Sequence, residues 1–147
     1  MKNTQKLTNK NVLITAGAQG IGASITRHFI DSGANVAIHY YSSEATANEL
    51  MEYALEKGQK AVIIQGDLTK EAAANTLVEK TIAAFGGLDI LINNTGSLVA
   101  RKMLNEITTE FWQQVMDINL TSMLFVTSAA SPYLIKNENS SIVNLSS

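Results

Sequence analysis

The chain has 147 residues, 46% hydrophobic and 16% charged, with 11 Lys and Arg against 13 Asp and Glu for a formal net charge of −2. That size and balance fit one domain with one core, and the scattered basic residues leave no electrostatic footprint for nucleic acid or an anionic membrane. The absence of cysteine excludes disulfides and thiolate metal centres, and no apolar run approaches the ~20 residues that a membrane-spanning helix needs. The polar start, Met1 to Lys10, lacks the apolar core of a signal peptide, so a cytoplasmic location is the expectation.

In chain order, a strand over Asn11 to Thr15 breaks into Ala16-Gly17-Ala18-Gln19-Gly20-Ile21-Gly22, ahead of a helix over Ile21 to Ser32. A glycine-rich turn at the first strand-to-helix junction of a β/α chain is where a dinucleotide pyrophosphate is expected. There the unpaired N–H groups and the positive end of the helix dipole face the anion, and side chains would obstruct its approach. Gly20 and Gly22 keep that approach clear.

The next strand, Asn35 to Tyr40, runs into Tyr41-Ser42-Ser43 and a helix over Glu44 to Lys57. A carboxylate at such a strand end would bond the ribose 2′-hydroxyl and repel a 2′-phosphate, and here Tyr40 stands instead. NADP is therefore favoured. NAD stays possible, because Gln19 occupies the turn where an arginine would best hold a phosphate.

A third strand, Ala61 to Gln65, leads through Gly66-Asp67-Leu68 to a helix over Lys70 to Phe85. The fourth strand is Asp89 to Asn93. A long helix over Thr109 to Lys136, interrupted near Asn119 or Pro132, precedes a fifth strand over Ser141 to Ser146. Gly33, Gly58 and Gly86-Gly87 stand at helix stops, and Ser42 or Ser43 and Thr69 at starts. Alternating Val/Ile-rich strands and amphipathic helices point to α/β class, a doubly wound parallel sheet with helices on both faces.

Read as Thr-x-x-x-x-Gly-x-Gly from Thr15, the turn resembles the Thr-Gly-x-x-x-Gly-x-Gly fingerprint of the short-chain dehydrogenase/reductase family, with Ala16 in place of the first glycine. Gly17 is expected to supply the flexibility that this replacement removes. Asn93-Asn94-Thr95-Gly96 resembles the family's Asn-Asn-Ala-Gly, Asp67 stands where an acidic residue touches the adenine, and Asn119 matches an asparagine on the long helix. Ile142-Val143-Asn144-Leu145-Ser146-Ser147 resembles the strand ending in the catalytic serine, with Ser147 the better match and Ser146 its rival. His39-Tyr40-Tyr41-Ser42-Ser43 resembles the corresponding stretch of NADP-dependent members such as the 3-oxoacyl carrier-protein reductases.

The resemblance implies a Rossmann-type fold cut short after its fifth strand, with residues 1–147 as a single NAD(P)-binding domain. It implies cofactor contacts from Thr15, Gly17, Gln19, Gly20, Ile21, Gly22, Tyr40, Ser42, Asp67, Leu68, Asn93, Thr95 and Gly96. Asn93 has the alternative of bracing the sheet. Catalytic roles fall to Asn119, which organises a water in a proton relay, and Ser147, which orients the carbonyl.

The implied reaction is hydride transfer between a nicotinamide and a small-molecule carbonyl or alcohol, in a homodimer or homotetramer. The family's Tyr-x-x-x-Lys pair follows the serine and has no match here, so this stretch alone is expected to be inactive. The alternative is a non-catalytic dinucleotide-binding or interaction module.

Tyr53 and Lys57 do satisfy Tyr-x-x-x-Lys, but on a helix far from the serine strand. His28 and His39 have no second ligand at metal spacing and are expected to be structural. Phe111, Trp112, Val115 and Met116 follow helical spacing and suggest core or subunit contact.

Overall fold

The computed structural model describes residues 7–146. Its five parallel strands are β1 (Asn11–Ile14), β2 (Asn35–Tyr40), β3 (Ala61–Gln65), β4 (Ile90–Asn93) and β5 (Ser141–Asn144), in the sheet order β3-β2-β1-β4-β5. The helices are α1 (Gly20–Asp31), α2 (Glu44–Glu56), α3 (Glu71–Phe85), α4 (Thr109–Met116) and α5 (Ser122–Leu134). From β1 the chain winds outward through β2 to β3, then crosses back to place β4 on the other side of β1. This is the doubly wound Rossmann-type sheet, and its winding reverses between β1 and β4.

Strand alternation sorts the core into two layers. Val12 and Ile14 of β1 with Val36 and Ile38 of β2 pack against Ile30 of α1 and Leu50 of α2. Leu13, Ala37, Ile64 and Leu91 point the other way, against Leu77 and Val78 of α3 and Val126, Ala130 and Leu134 of α5. The register Val12↔Ile90, Leu13↔Leu91, Ile14↔Ile92 keeps both faces apolar where the halves meet.

Gly33, Gly58 and Gly86 carry φ of 89°, 82° and 82° at the helix stops, as expected. Neither expected start is a side-chain cap. The Ser43 hydroxyl donates to Gln19 Oε1 instead, and the Thr69 hydroxyl donates to Asp67 Oδ1.

The long helix is interrupted at Asp117–Thr121, a wide π-type turn around Asn119. Pro132 lies inside α5 without ending it, because Val126, Ala130 and Leu134 on either side are buried against the sheet and α3. α4 buries no residue, and Trp112 is 57% exposed, so the core reading of that aromatic cluster does not hold. Among the described residues, no helix is long and apolar enough to cross a membrane.

At the end of the sheet away from the strands' carboxyl ends, Asp89 ties three strands together. Its carboxylate accepts from the Asn11 N–H (2.8 Å), Lys10 Nζ (3.0 Å) and the Asn137 amide (2.5 Å). Its backbone bonds Asn11 on one side and Ser141 on the other. Burial pushes the Asp89 pKa up, but the Asn11, Lys10 and Asn137 hydrogen bonds and the Lys10 charge outweigh it, and the net shift is downward. Asp89→Ala should cost about 1–3 kcal/mol in urea unfolding. Because the folded state holds this carboxyl below its ordinary value, that contribution is complete above about pH 4 and drains as acid takes the pH through the lowered value. The wild-type and variant stability curves should therefore converge in acid.

Candidate functional site

β1 ends against β4. The Thr15 N–H donates to the Ile92 carbonyl at 3.0 Å, and the Thr15 hydroxyl oxygen accepts from the backbone N–H groups of Asn94 (2.9 Å) and Thr95 (3.0 Å). The Asn94 amide returns the link, donating to the carbonyls of Thr15 (3.2 Å) and Ala16 (3.1 Å). On the other side, the Ala16 N–H donates to His39 Nδ1 at 2.9 Å and the Gly17 N–H to the His39 carbonyl at 2.8 Å.

Held in this way, Ala16 adopts φ 48°, the left-handed region that costs an L residue roughly 1–2 kcal/mol. The expectation that Gly17 would take over the role of the replaced glycine is therefore corrected. Ala16 itself bends, and Gly17 lacks a positive φ. What Gly17 contributes is the missing side chain, since a Cβ there would sit 3.0 Å from both the Ile14 carbonyl and the Thr26 hydroxyl.

Gly22 is more constrained. A Cβ there would overlap the Ala16 carbonyl and lie 2.5 Å from the Asn94 amide. Gly20 takes φ 49° and faces open space. The first intrahelical bond of α1 is Ala23 N–H to Gln19 C=O, so the amides of Gly20, Ile21 and Gly22 precede the ladder, with neither a side-chain cap nor an acidic residue beside them. A helix start of this kind fits the pyrophosphate of a dinucleotide.

The turn opens on a cleft of about 950 Å³ at the carboxyl ends of the strands. Of the residues expected to touch a cofactor, Gln19, Tyr40, Asp67, Leu68, Thr95 and Gly96 line it. Ser42 does not, and Ser43 takes its place. Thr15 and Gly17 are buried beneath the turn, and Ile21 is exposed on the far side of α1 beside Leu7 and Phe29. Asn93 faces away and braces the sheet, its amide donating to Thr127 Oγ1 (3.0 Å) and Asn144 Oδ1 (2.9 Å).

Asp67 Oδ1 accepts from the N–H and hydroxyl of Thr69, which shapes the β3–α3 loop along the cleft. Burial, together with the neighbouring Glu44 carboxylate, pushes the Tyr40 phenol above its ordinary value. The Thr95 hydroxyl is buried at the cleft wall with no hydrogen-bond partner among the described residues, a polar atom that a bound ligand or water would satisfy.

Asn119 sits in the wide turn and clamps the loop after β4. Its Oδ1 accepts from the Ser97 N–H (2.9 Å), and its Nδ2 donates to the carbonyls of Ser97 (2.8 Å) and Val115 (2.9 Å). A Cβ at Gly96 would lie 3.0 Å from Asn119 Oδ1, so any larger residue there would press on this clamp. Ser147 lies outside the described residues; Ser146 follows β5.

Tyr53 and Lys57 are remote from the cleft. The Tyr53 hydroxyl donates to Asp31, Lys57 pairs with the same carboxylate at 3.8 Å, and Arg27 lies over the Tyr53 ring. His28 bonds the Ser24 carbonyl on exposed α1, while His39 belongs to the site.

Sequence reasoning gives Asn94 no role of its own and reads His39 as structural, and the structure brings both to the turn. Alternation was the available signal for Asn94. With Asn93 directed at β5 and α5, the next residue has to point back toward the β1 turn.

A family profile described as short chain dehydrogenase matches residues 10–147. An uncharacterised oxidoreductase of Methylorubrum extorquens is 37% identical over 97% of this chain and 56% of its own length. The crystal structure of a short chain dehydrogenase from Burkholderia cenocepacia in complex with NADP superposes with a TM-score of 0.89 at 32% identity, over 95% of this chain and 56% of that one. An NADH-dependent reductase complexed with NAD superposes at 0.88 and 31% identity, over 96% and 60%. The chain spans about half the length of the curated relatives it matches.

Gly22→Ala should cost more than about 3 kcal/mol or abolish folding, because the new methyl meets fixed backbone. Ala16→Gly should raise stability by about 1 kcal/mol by relieving the left-handed strain. Paired denaturant curves check both, and a destabilised Ala16→Gly would show that the turn is not strained.

Proposed function

This chain belongs to the short chain dehydrogenase family, and on that premise we propose that the whole protein is an NADP-dependent oxidoreductase interconverting a small-molecule carbonyl compound and its alcohol. Residues 1–147 serve as its dinucleotide-binding unit. The observation that carries this reading is the uncapped start of α1, directly after a turn that Thr15, Asn94 and His39 hold and whose Ala16, Ala18 and Gln19 line the cleft. When bound, the nicotinamide supplies or accepts the hydride.

The chain's own residues bind and orient. The amides of Gly20, Ile21 and Gly22 at the start of α1 would receive the pyrophosphate. Of the residues lining the cleft, Asp67 and Leu68 would wall the adenine, and Thr95 and Gly96 the ribose and nicotinamide. Asn119 spends both amide protons and one lone pair on Ser97 and Val115. A relay water at this point is held through the second lone pair of Oδ1 or through the backbone of the wide turn. Ser147 orients the substrate carbonyl.

The preference for NADP is supported by the end of β2, where Tyr40 replaces a carboxylate and the rim is a neutral pair, Ser43 Oγ donating to Gln19 Oε1 at 3.0 Å. Self-association as a dimer or tetramer is supported by the exposed Trp112, Leu120 and Leu124 along α4 to α5.

In titrations of the intact protein, NADPH should bind at least about tenfold more tightly than NADH, and Gln19→Arg should widen the gap by about another tenfold through a charge-assisted bond to the 2′-phosphate. Equal affinities would refute the NADP preference. Ser147→Ala should lower kcat on the order of 10²-fold while leaving NADPH affinity in place.

A further inference from the structure

His39 stands where three segments of the cleft wall meet. It is 3% exposed, its Nδ1 accepts from the Ala16 N–H at 2.9 Å, and its Nε2 lies 3.0 Å from the Gly66 carbonyl. Its own backbone carbonyl accepts from the Gly17 N–H at 2.8 Å. The Ala16 N–H has to donate, so Nδ1 bears a lone pair and Nε2 bears the proton, which it donates to Gly66. The ring is thus the neutral Nε2–H form. Its ring joins the strained β1–α1 turn to the β3–α3 loop.

We propose that neutral His39 is a positioning residue for dinucleotide binding, and that its protonation releases the turn and weakens binding in mild acid. A proton on Nδ1 would set donor against donor at Ala16, the residue already at φ 48°. Once that bond is lost, the Ala16 N–H has no acceptor, and the left-handed turn is left with the Asn94 amide on the Ala16 carbonyl and the Gly17 N–H on the His39 carbonyl. This inference rests on the dinucleotide reading of the cleft.

Burial lowers the His39 pKa below its ordinary value of 6.5, although the Gly66 hydrogen bond pulls the other way. The folded state therefore resists the proton and the released state accepts it. The contribution of His39 is full above about pH 6.5 and declines as pH falls below that toward the lowered value.

The ionisable groups that line the cleft with His39 are Tyr40 and Tyr41 after β2, Asp67 and Lys70 in the β3–α3 loop, and Glu110 and Asp117 on the opposite wall, while Glu44 and Glu71 stand at the starts of α2 and α3. β1 and β3 contain none. On α1, Arg27 and Asp31 are engaged with Tyr53 of α2, and His28 with the Ser24 carbonyl. His39→Asn leaves all of these in place while keeping an acceptor for the Ala16 N–H, so any pH dependence that survives it belongs to them or to the ligand's own phosphate.

The test is calorimetric titration of the intact protein with NADP at about pH 7.5 and about pH 5.5, alongside His39→Asn and His39→Leu, with thermal midpoints measured without ligand over the same range. Wild type should lose about tenfold in affinity between the two pH values beyond the loss shown by His39→Asn. His39→Asn should stay within about threefold of wild type at the higher pH, and His39→Leu should be weaker than wild type there by about tenfold. The ligand-free midpoint should fall in acid more steeply for wild type than for His39→Asn.

Parallel pH dependence in wild type and His39→Asn, or wild-type affinity in a folded His39→Leu, would overturn the inference. Failure of wild type to bind at any pH would overturn the dinucleotide reading itself. The midpoints alone would then decide whether His39 holds the turn.

Discussion

At Ala16 the chain has to bend through the left-handed region with a side chain present, and the surrounding structure holds that bend from both sides. Its N–H is taken by His39 from β2, and its carbonyl by Asn94 from the end of β4. Gly22, in the first turn of α1, is bare because the Ala16 carbonyl and the Asn94 amide occupy the space of its Cβ. Strands on both sides of β1 pin the turn that leads into α1, and Ala16, Ala18 and Gln19 of that turn line the cleft. A strained conformation persists where neighbours over-determine it, and the strain here lies at the point that would meet the ligand.

The sheet order explains why those neighbours are available. Winding reverses between β1 and β4, so the loops after β1, β2 and β3 diverge from the loop after β4 and leave a crevice at the strands' carboxyl ends. Thr15 closes the floor of that crevice, its hydroxyl accepting two successive N–H groups just past β4. The wide turn at Asp117–Thr121 closes the far wall, since one extra residue in the helix brings Asn119 against both backbone polar groups of Ser97. π-type insertions of this kind are frequent at functional sites because they re-aim a side chain without ending the helix.

Much of this was legible in the residues. The strands were found to within two residues at their ends, because Val- and Ile-rich runs between glycine-stopped helices admit few other readings. Of the cofactor contacts that the sequence suggests, Gln19, Tyr40, Asp67, Leu68, Thr95 and Gly96 line the cleft, while Gly17, Gly20 and Gly22 do not. Ser43 rather than Ser42 lines the cleft, since which of two adjacent hydroxyls faces inward depends on the backbone path out of β2. Gly17 was credited with a bend that Ala16 makes, because local flexibility does not reveal which residue in a turn the distant partners will seize. Asn93 and Asn94 read as one motif, yet one braces β5 and α5 and the other locks the turn.

By itself the sequence determined the α/β class, the order of the elements and the place of the glycine turn, since periodicity, glycine stops and turn chemistry act over a few residues and are written locally. The tertiary structure alone decided the left-handed Ala16, the two hydrogen bonds that join His39 to Ala16 and Gly66, and the grip of Asn119 on Ser97. Those contacts join residues 22 to 27 positions apart, brought together only when parallel strands pair and the helices between them pack. Hydrogen bonds between such partners depend on the three-dimensional path of the backbone, and no local propensity encodes that path.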